Sequence, residues 1–263
     1  MDLGLKGARV FVAASSRGLG GAAARRFSLE GAHVAINGRN ADRLTQTAAD
    51  LQHETGNPVY AVPGDVADPH QAEDIVARAV NRLGGLDILV TNAGGPPGGS
   101  FESTPLDAWE GAFRLSVMSA VRMIRAALPH LRQSDRAAIL TITSISVKQP
   151  IDNLILSNSI RMSVIGLTKS LAIELGAEGI RVNSILPGWT RTERVTELMT
   201  NRARAENISI EEAFRRQAAG SPLGRMGEPE EFANVAVFLC SPAAGYVHGA
   251  MIPVDGGSIR ATL

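Results

Sequence analysis

The sequence predicts one doubly wound α/β domain, a parallel sheet with helices on both faces. Short apolar runs alternate with longer amphipathic ones along the whole chain. A glycine-bearing turn separates the first apolar run from the first helical one. The 263 residues, 44% of them hydrophobic, suffice for one sizeable core.

The elements follow in order. Ala8–Ala14 reads as a buried strand and Gly18–Leu29 as the helix after it. Val34–Ile36 is a second strand, ended by the turn-forming Asn37-Gly38. Ala41–Thr55 is a helix because Leu44, Ala48 and Leu51 share one face. Val59–Val62 and Asp87–Thr91 are strands flanking a helix at Pro69–Leu83. Asp107–Leu131 reads as one long helix, then a strand at Ala137–Thr143. Leu156–Leu175 is helical, Arg181–Leu186 extended, and Glu230–Cys240 with Ala250–Val254 close the series. Arg191–Gly220 is a charged, helical-looking excursion within the single domain, 1–263.

Composition narrows the function. Lys plus Arg and Asp plus Glu number 26 each, so there is no bulk field to attract nucleic acid or an anionic membrane. The lone Cys240 rules out an internal disulfide and, within an apolar run, reads as a buried, inert thiol. No apolar run has spanning length and Met1 to Lys6 shows no signal-peptide pattern, so a cytoplasmic protein is expected.

The first turn runs Ala13-Ala14-Ser15-Ser16-Arg17-Gly18-Leu19-Gly20-Gly21 and opens a helix. Gly18 and Gly20 let backbone approach a pyrophosphate, and the helix N-terminus offers free N–H groups. The turn resembles the Thr-Gly-x-x-x-Gly-x-Gly of the short-chain dehydrogenases/reductases, with Ala13 for Thr and Ala14 for the first Gly. Ala14 suits that position if its φ is negative. Further segments match the family in order: Asp65-Val66, Asn92-Ala93-Gly94, Pro187-Gly188 with Thr190 and Thr192, Gly224 to Glu230, and Val254-Asp255-Gly256-Gly257. The resemblance covers almost the whole chain and is nearest to the bacterial 3-oxoacyl-carrier-protein-reductase-like branch. It implies a Rossmann fold, a nicotinamide cofactor, a small carbonyl or alcohol substrate, and a homotetramer built on the long helices and the C-terminal strand. It also implies roles: Ser16, Arg17, Gly18, Leu19 and Gly20 at the phosphates, Asp65 and Val66 by the adenine, Asn92, Ala93 and Gly94 after the fourth strand. Pro187, Gly188, Thr190 and Thr192 would lie under the carboxamide, and Arg191–Gly220 would be the substrate lid.

At the end of the second strand, Asn37-Gly38-Arg39 carries no carboxylate to hold the ribose hydroxyls of NAD. Arg39 and Arg17 either reach a 2′-phosphate or are plain surface arginines; on charge grounds NADP(H) is expected ahead of NAD(H).

The resemblance breaks at the catalytic end. The family uses a Ser, a Tyr thirteen residues on, a Lys four further, and an Asn on the preceding long helix. Ser144 keeps the first position, but Ser157 stands at the Tyr, Arg161 at the Lys and Ser116 at the Asn. An aliphatic hydroxyl is a far weaker acid than a phenol, whose pKa is about 10. Arg161 stays protonated, but can donate a rigid fork to ribose hydroxyls or an anionic group. Tyr60 and Tyr246 look structural, and the histidines (His33, His53, His70, His130 and His248) offer no replacement. Lys148 and Asp152 fall in the loop between Ser144 and Ser157, and a desolvated Lys148 is the first choice of alternative acid. Three functions stay open: an NADP(H)-dependent oxidoreductase, a non-redox enzyme on the same scaffold, and a catalytically silent cofactor binder. The lid arginines Arg191, Arg194, Arg202, Arg204, Arg215 and Arg216 could favour an anionic substrate, or belong to a solvated helix pair with their neighbouring glutamates.

Overall fold

The computed structural model describes residues 1–262. β1 (Arg9–Val12), α1 (Gly18–Leu29), β2 (His33–Gly38), α2 (Ala41–Thr55), β3 (Val59–Pro63), α3 (Ala72–Leu83) and β4 (Ile88–Thr91) form the first half. The second half is α4 (Leu106–Phe113), α5 (Ser119–Leu131), β5 (Ala138–Ile142), α6 (Ile155–Leu175), β6 (Arg181–Pro187), α7 (Glu193–Glu206), α8 (Ile210–Ala218), α9 (Pro229–Cys240) and β7 (Met251–Val254). One seven-stranded sheet runs β3-β2-β1-β4-β5-β6-β7, and every pairing is parallel.

Alternation along β1 splits the core in two. Val10 and Val12 face one layer with Phe27, Ile36, Phe232 and Val237; Phe11 faces the other with Ile75, Leu89, Met123 and Val182. The strand order reverses between β1 and β4, which opens a crevice at the carboxyl ends of the strands, where such sheets bind ligands. Cys240 is buried as expected, and that burial pushes its thiol up to about 12. Arg181 closes α9 onto β6 by donating to the carbonyls of Leu239, Cys240, Ser241 and Ala244, 2.7–3.3 Å away.

Three expectations are corrected. The helix expected from Pro69 begins at Ala72, because Asp68 Oδ1 accepts from the N–H of His70 and holds the preceding turn. The long helix Asp107–Leu131 is interrupted by a π-helical turn, Arg114–Met118, between α4 and α5. Ala14 has φ 46, in the left-handed region rather than the negative one. Neighbours pin it on both sides: its N–H donates to Asn37 Oδ1 at 3.2 Å and its carbonyl accepts from Asn92 Nδ2 at 3.1 Å. A left-handed Ala costs about 1–2 kcal/mol, while Ala→Gly elsewhere loses about 0.5–1 kcal/mol through chain entropy. Ala14→Gly is therefore expected to match or slightly exceed wild-type stability in urea unfolding, while Ala24→Gly inside α1 loses about 1 kcal/mol.

One ion pair ties β1 to the start of β4. Asp87 accepts from the Arg9 guanidinium at 2.6 and 3.0 Å, from the Arg9 N–H at 2.8 Å and from Ser134 Oγ at 2.7 Å. Burial alone would raise the Asp87 pKa, but these donors outweigh it and hold it below the usual carboxylate value. The folded pKa is depressed, so the stabilisation is present above about pH 4 and fades as pH falls through the folded value. Asp87→Asn is expected to cost about 2–3 kcal/mol at pH 7, with the gap from wild type narrowing in acid unfolding.

Candidate active site

A cleft of about 610 Å³ opens at the carboxyl ends of the strands. Ser16, Arg17, Gly18, Leu19, Gly20, Arg39, Asp65, Val66, Asn92, Ala93, Gly94, Pro187, Gly188, Thr190 and Thr192 all line it, as do Ser144, Ser157 and Arg161. Lys148, Asp152 and Ser116 do not line it.

At the β1–α1 turn, Arg17 is extended at the N-cap of α1, with no side-chain cap and no acidic residue in the first turn. The free N–H groups of that turn give the cleft an anion-binding end. Gly20 is required sterically: a β-carbon there would lie 2.5 Å from the Ala14 carbonyl and 2.9 Å from Asn92 Nδ2. Asn37, read in the sequence as the end of a strand and as lacking a carboxylate for the ribose, also holds the turn from behind. It donates Nδ2 to the carbonyls of Val62 and Gly64, and its N–H to Ser15 Oγ. Arg39 is exposed and makes no ion pair among the described residues, whereas Arg17 pairs with Glu193 of α7. Thr192 Oγ1 accepts from the N–H of Val195 and so caps α7 as well as lining the cleft.

The other end of the cleft is built on β5 and α6. Thr141 and Thr168 bond side chain to side chain at 2.9 Å, which seats α6 on β5. Ser144 follows β5 in extended conformation, and its Oγ accepts from the N–H of Ser146 at 3.1 Å. Ser157 is buried and its Oγ lies 3.1 Å from Ser146 Oγ, a partnership across eleven residues that no local signal announces. Asn158 clamps the intervening loop with two bonds to the backbone of Ile151. That loop carries Lys148 outward: it is exposed and does not line the cleft, so the expected desolvated acid is an ordinary surface lysine. Asp152 is exposed too.

Arg161 reaches under the cleft. Its Nη1 donates to the carbonyl of Thr143 at 2.7 Å, while its Nε is buried with no partner. Burial pulls its pKa down to about 10, with no carboxylate opposing, so it remains a cation at neutral pH. Ser116 sits in the π-helical turn with its Oγ also buried and unpartnered. Both side chains line a separate polar cavity of about 20 Å³, room for one water molecule. Among the described residues, no Tyr, His, Cys or Lys lines the main cleft.

α7 covers one side of the cleft and packs on α8 around a small core of Met199, Ala203, Ala213 and Met226. Most of their arginines are paired outside the cleft: Arg191 with Glu228, Arg202 with Glu206, Arg215 with Glu212, and Arg216 with both Glu206 and Glu212. Arg194 alone among the six lines the cleft, together with Glu193, Glu197 and Trp189.

Residues 13–258 match the family model described as enoyl-(acyl carrier protein) reductase. The chain is 37% identical over 254 residues to an L-rhamnose 1-dehydrogenase (NAD(P)(+)) of Sphingomonas sp. (strain SKA58), covering 96% of each. The fold superposes with a TM-score of 0.95 on the L-sorbose reductase of Gluconobacter frateurii complexed with NADPH and L-sorbose, at 33% identity, covering 99% of this chain and 100% of that one. An NADPH-bound short-chain oxidoreductase of Pseudomonas aeruginosa PAO1, described as containing an atypical catalytic centre, is 30% identical with a TM-score of 0.84, covering 97% and 98%.

Proposed function

The chain belongs to the short-chain dehydrogenase/reductase family of oxidoreductases, and from that premise we propose that it is an NADP(H)-dependent enzyme interconverting a carbonyl and an alcohol through an atypical proton-transfer site. The observation that carries this reading is the single cleft gathering the glycine turn, Asn92 to Gly94 and Pro187 to Thr192 beside Ser144 and Arg161.

The residues present fit a dinucleotide. The uncapped α1 N-terminus and Gly20 cradle a pyrophosphate, with Ser16, Gly18 and Leu19 in the same turn. Arg39, which makes no ion pair among the described residues, meets a 2′-phosphate, with Arg17 lining the same cleft. Asp65 and Val66 would hold the adenine, Asn92, Ala93 and Gly94 the nicotinamide ribose, and Pro187, Gly188, Thr190 and Thr192 the carboxamide. The bound nicotinamide supplies or accepts one hydride, and the substrate oxygen gains or loses one proton.

This chain's own groups act on that oxygen. Ser144 Oγ donates to the carbonyl and orients it. The Arg161 cation favours negative charge as it develops, and its desolvation strengthens the effect. Ser157 leaves open the space a phenol would fill and holds a water there, which brings the proton from solvent in reduction and carries it to solvent in oxidation. Residues 191–220 close over the substrate. The protein works in the cytoplasm as a homotetramer packed through α4–α5, α6 and β7; the outward Met162 and Ile173 on α6, 49% and 76% exposed, favour such packing.

Fluorescence titration tests the cofactor choice. NADPH is expected to bind at least about tenfold more tightly than NADH, and Arg39→Ala to remove most of that margin. Equal affinities in the wild type would contradict the assignment. That no described Tyr, His, Cys or Lys lines the cleft favours a second reading, a cofactor binder without catalysis; tight NADPH binding with no turnover of any carbonyl would support it.

A further inference from the structure

Arg161 and Arg194 come from different elements and converge on one glycine. The point that a Gly95 β-carbon would occupy is 3.8 Å from Arg194 Nε and 4.0 Å from Arg161 Nη2. Nothing else lies within 4 Å of it, so the two guanidinium groups face one space within the span of a single carboxylate. Two cations directed into one space repel each other, and an anion between them relieves that repulsion. The protein supplies little to offset them. Arg161 has no acidic partner among the described residues, and its Nε is unpaired. Arg194 is held by the Pro96 carbonyl at 3.2 Å through Nη2, and Glu197 is a loose partner, 3.7 Å from Nη1. Glu193, the other nearby carboxylate on α7, is taken by Arg17.

Resting on the oxidoreductase reading above, we propose that the space beside Gly95 is an anion subsite and that the substrate is a carbonyl compound bearing a carboxylate. Planar guanidinium groups match a carboxylate in shape and donor direction, and remain charged where a Lys can lose its proton. The proposal accounts for an Arg at position 161, where the proton-shuttling residue of the family would be Lys. It also sets this chain apart from a reductase of neutral sugars, since a sugar brings no charge to the two cations.

The test is calorimetric titration of acetoacetate and levulinate, of their methyl esters, and of neutral L-sorbose, into cofactor-free and NADPH-loaded protein. The acids are expected to bind at least about tenfold more tightly than their esters. Arg194→Gln should abolish most of that preference while ester affinity and NADPH affinity change little. Gly95→Ala keeps both charges and meets no atom closer than 3.8 Å, so it should fold, yet its methyl fills the space and should also remove the preference. Equal binding of acid and ester, no binding of either acid, or a preference that survives Arg194→Gln overturns the subsite. Failure of wild-type protein to bind NADPH instead overturns the parent reading, and acid-over-ester binding in cofactor-free protein still decides the subsite by itself.

Discussion

Exchanging Arg161 for methionine is expected to make the protein more stable and nearly inactive. The guanidinium is desolvated, and among the described residues its Nε has no partner and no carboxylate pairs with it. Replacing a buried ion by an apolar side chain of similar volume is often stabilising by about 1–4 kcal/mol. The lost bond to the Thr143 carbonyl returns about 1 kcal/mol of that, so a net gain of about 0–3 kcal/mol, centred on about 1.5, remains. For a chain of this size, that raises Tm by roughly 2–6 °C. Turnover moves the other way. Losing a donor aimed at developing negative charge lowers kcat by about 100- to 1,000-fold. Thermal unfolding and steady-state kinetics on the same sample check both halves. A fall in Tm would mean that the charge is already compensated within the folded chain.

Gly20→Ala is expected to abolish cofactor binding. A β-carbon would stand 2.5 Å from one backbone carbonyl, 2.9 Å from the Asn92 side chain and 3.1 Å from Ser15 Cα, so the turn itself must move. Overpacking of this kind costs about 1–3 kcal/mol of stability, and displacing α1 from the phosphate end should weaken NADPH by at least about 100-fold, or 2.7 kcal/mol. Gly111→Ala is the control: nothing lies within 4 Å of its β-carbon, and in α4 it should gain up to about 1 kcal/mol. Equal NADPH affinity in Gly20→Ala and wild type would show that the turn does not hold the cofactor.

What could be read from the sequence was what short-range chemistry decides. The bounds of α2 were legible because both caps are local: Asn40 Oδ1 accepts from the N–H of Arg43, and Gly56 takes φ 70 at the end. The cleft residues were legible because glycine turns and strand ends sit at fixed places in a doubly wound sheet. The rest depends on contacts distant in sequence. The π-helical turn that aims Ser116 into a cavity has no signature in Arg114-Leu115-Ser116-Val117-Met118. The sign of φ at Ala14 is set by Asn37 and Asn92, 23 and 78 residues away. Lys148 read as a desolvated acid because the loop's direction is decided by the Asn158 clamp on Ile151. Arg194 could not be separated from the other charged residues of its segment until the ion pairs of α7 and α8 were placed.

The central claim is that a cleft without a phenol still transfers hydride. The direct measurement uses NADPH deuterated at the transferable position of C4, incubated with the protein and the oxo acids named above. Deuterium on the carbinol carbon of the product, in step with loss of NADPH absorbance, is the predicted result. NADPH that binds but is never oxidised, or substrate that turns over without taking up deuterium, would contradict it.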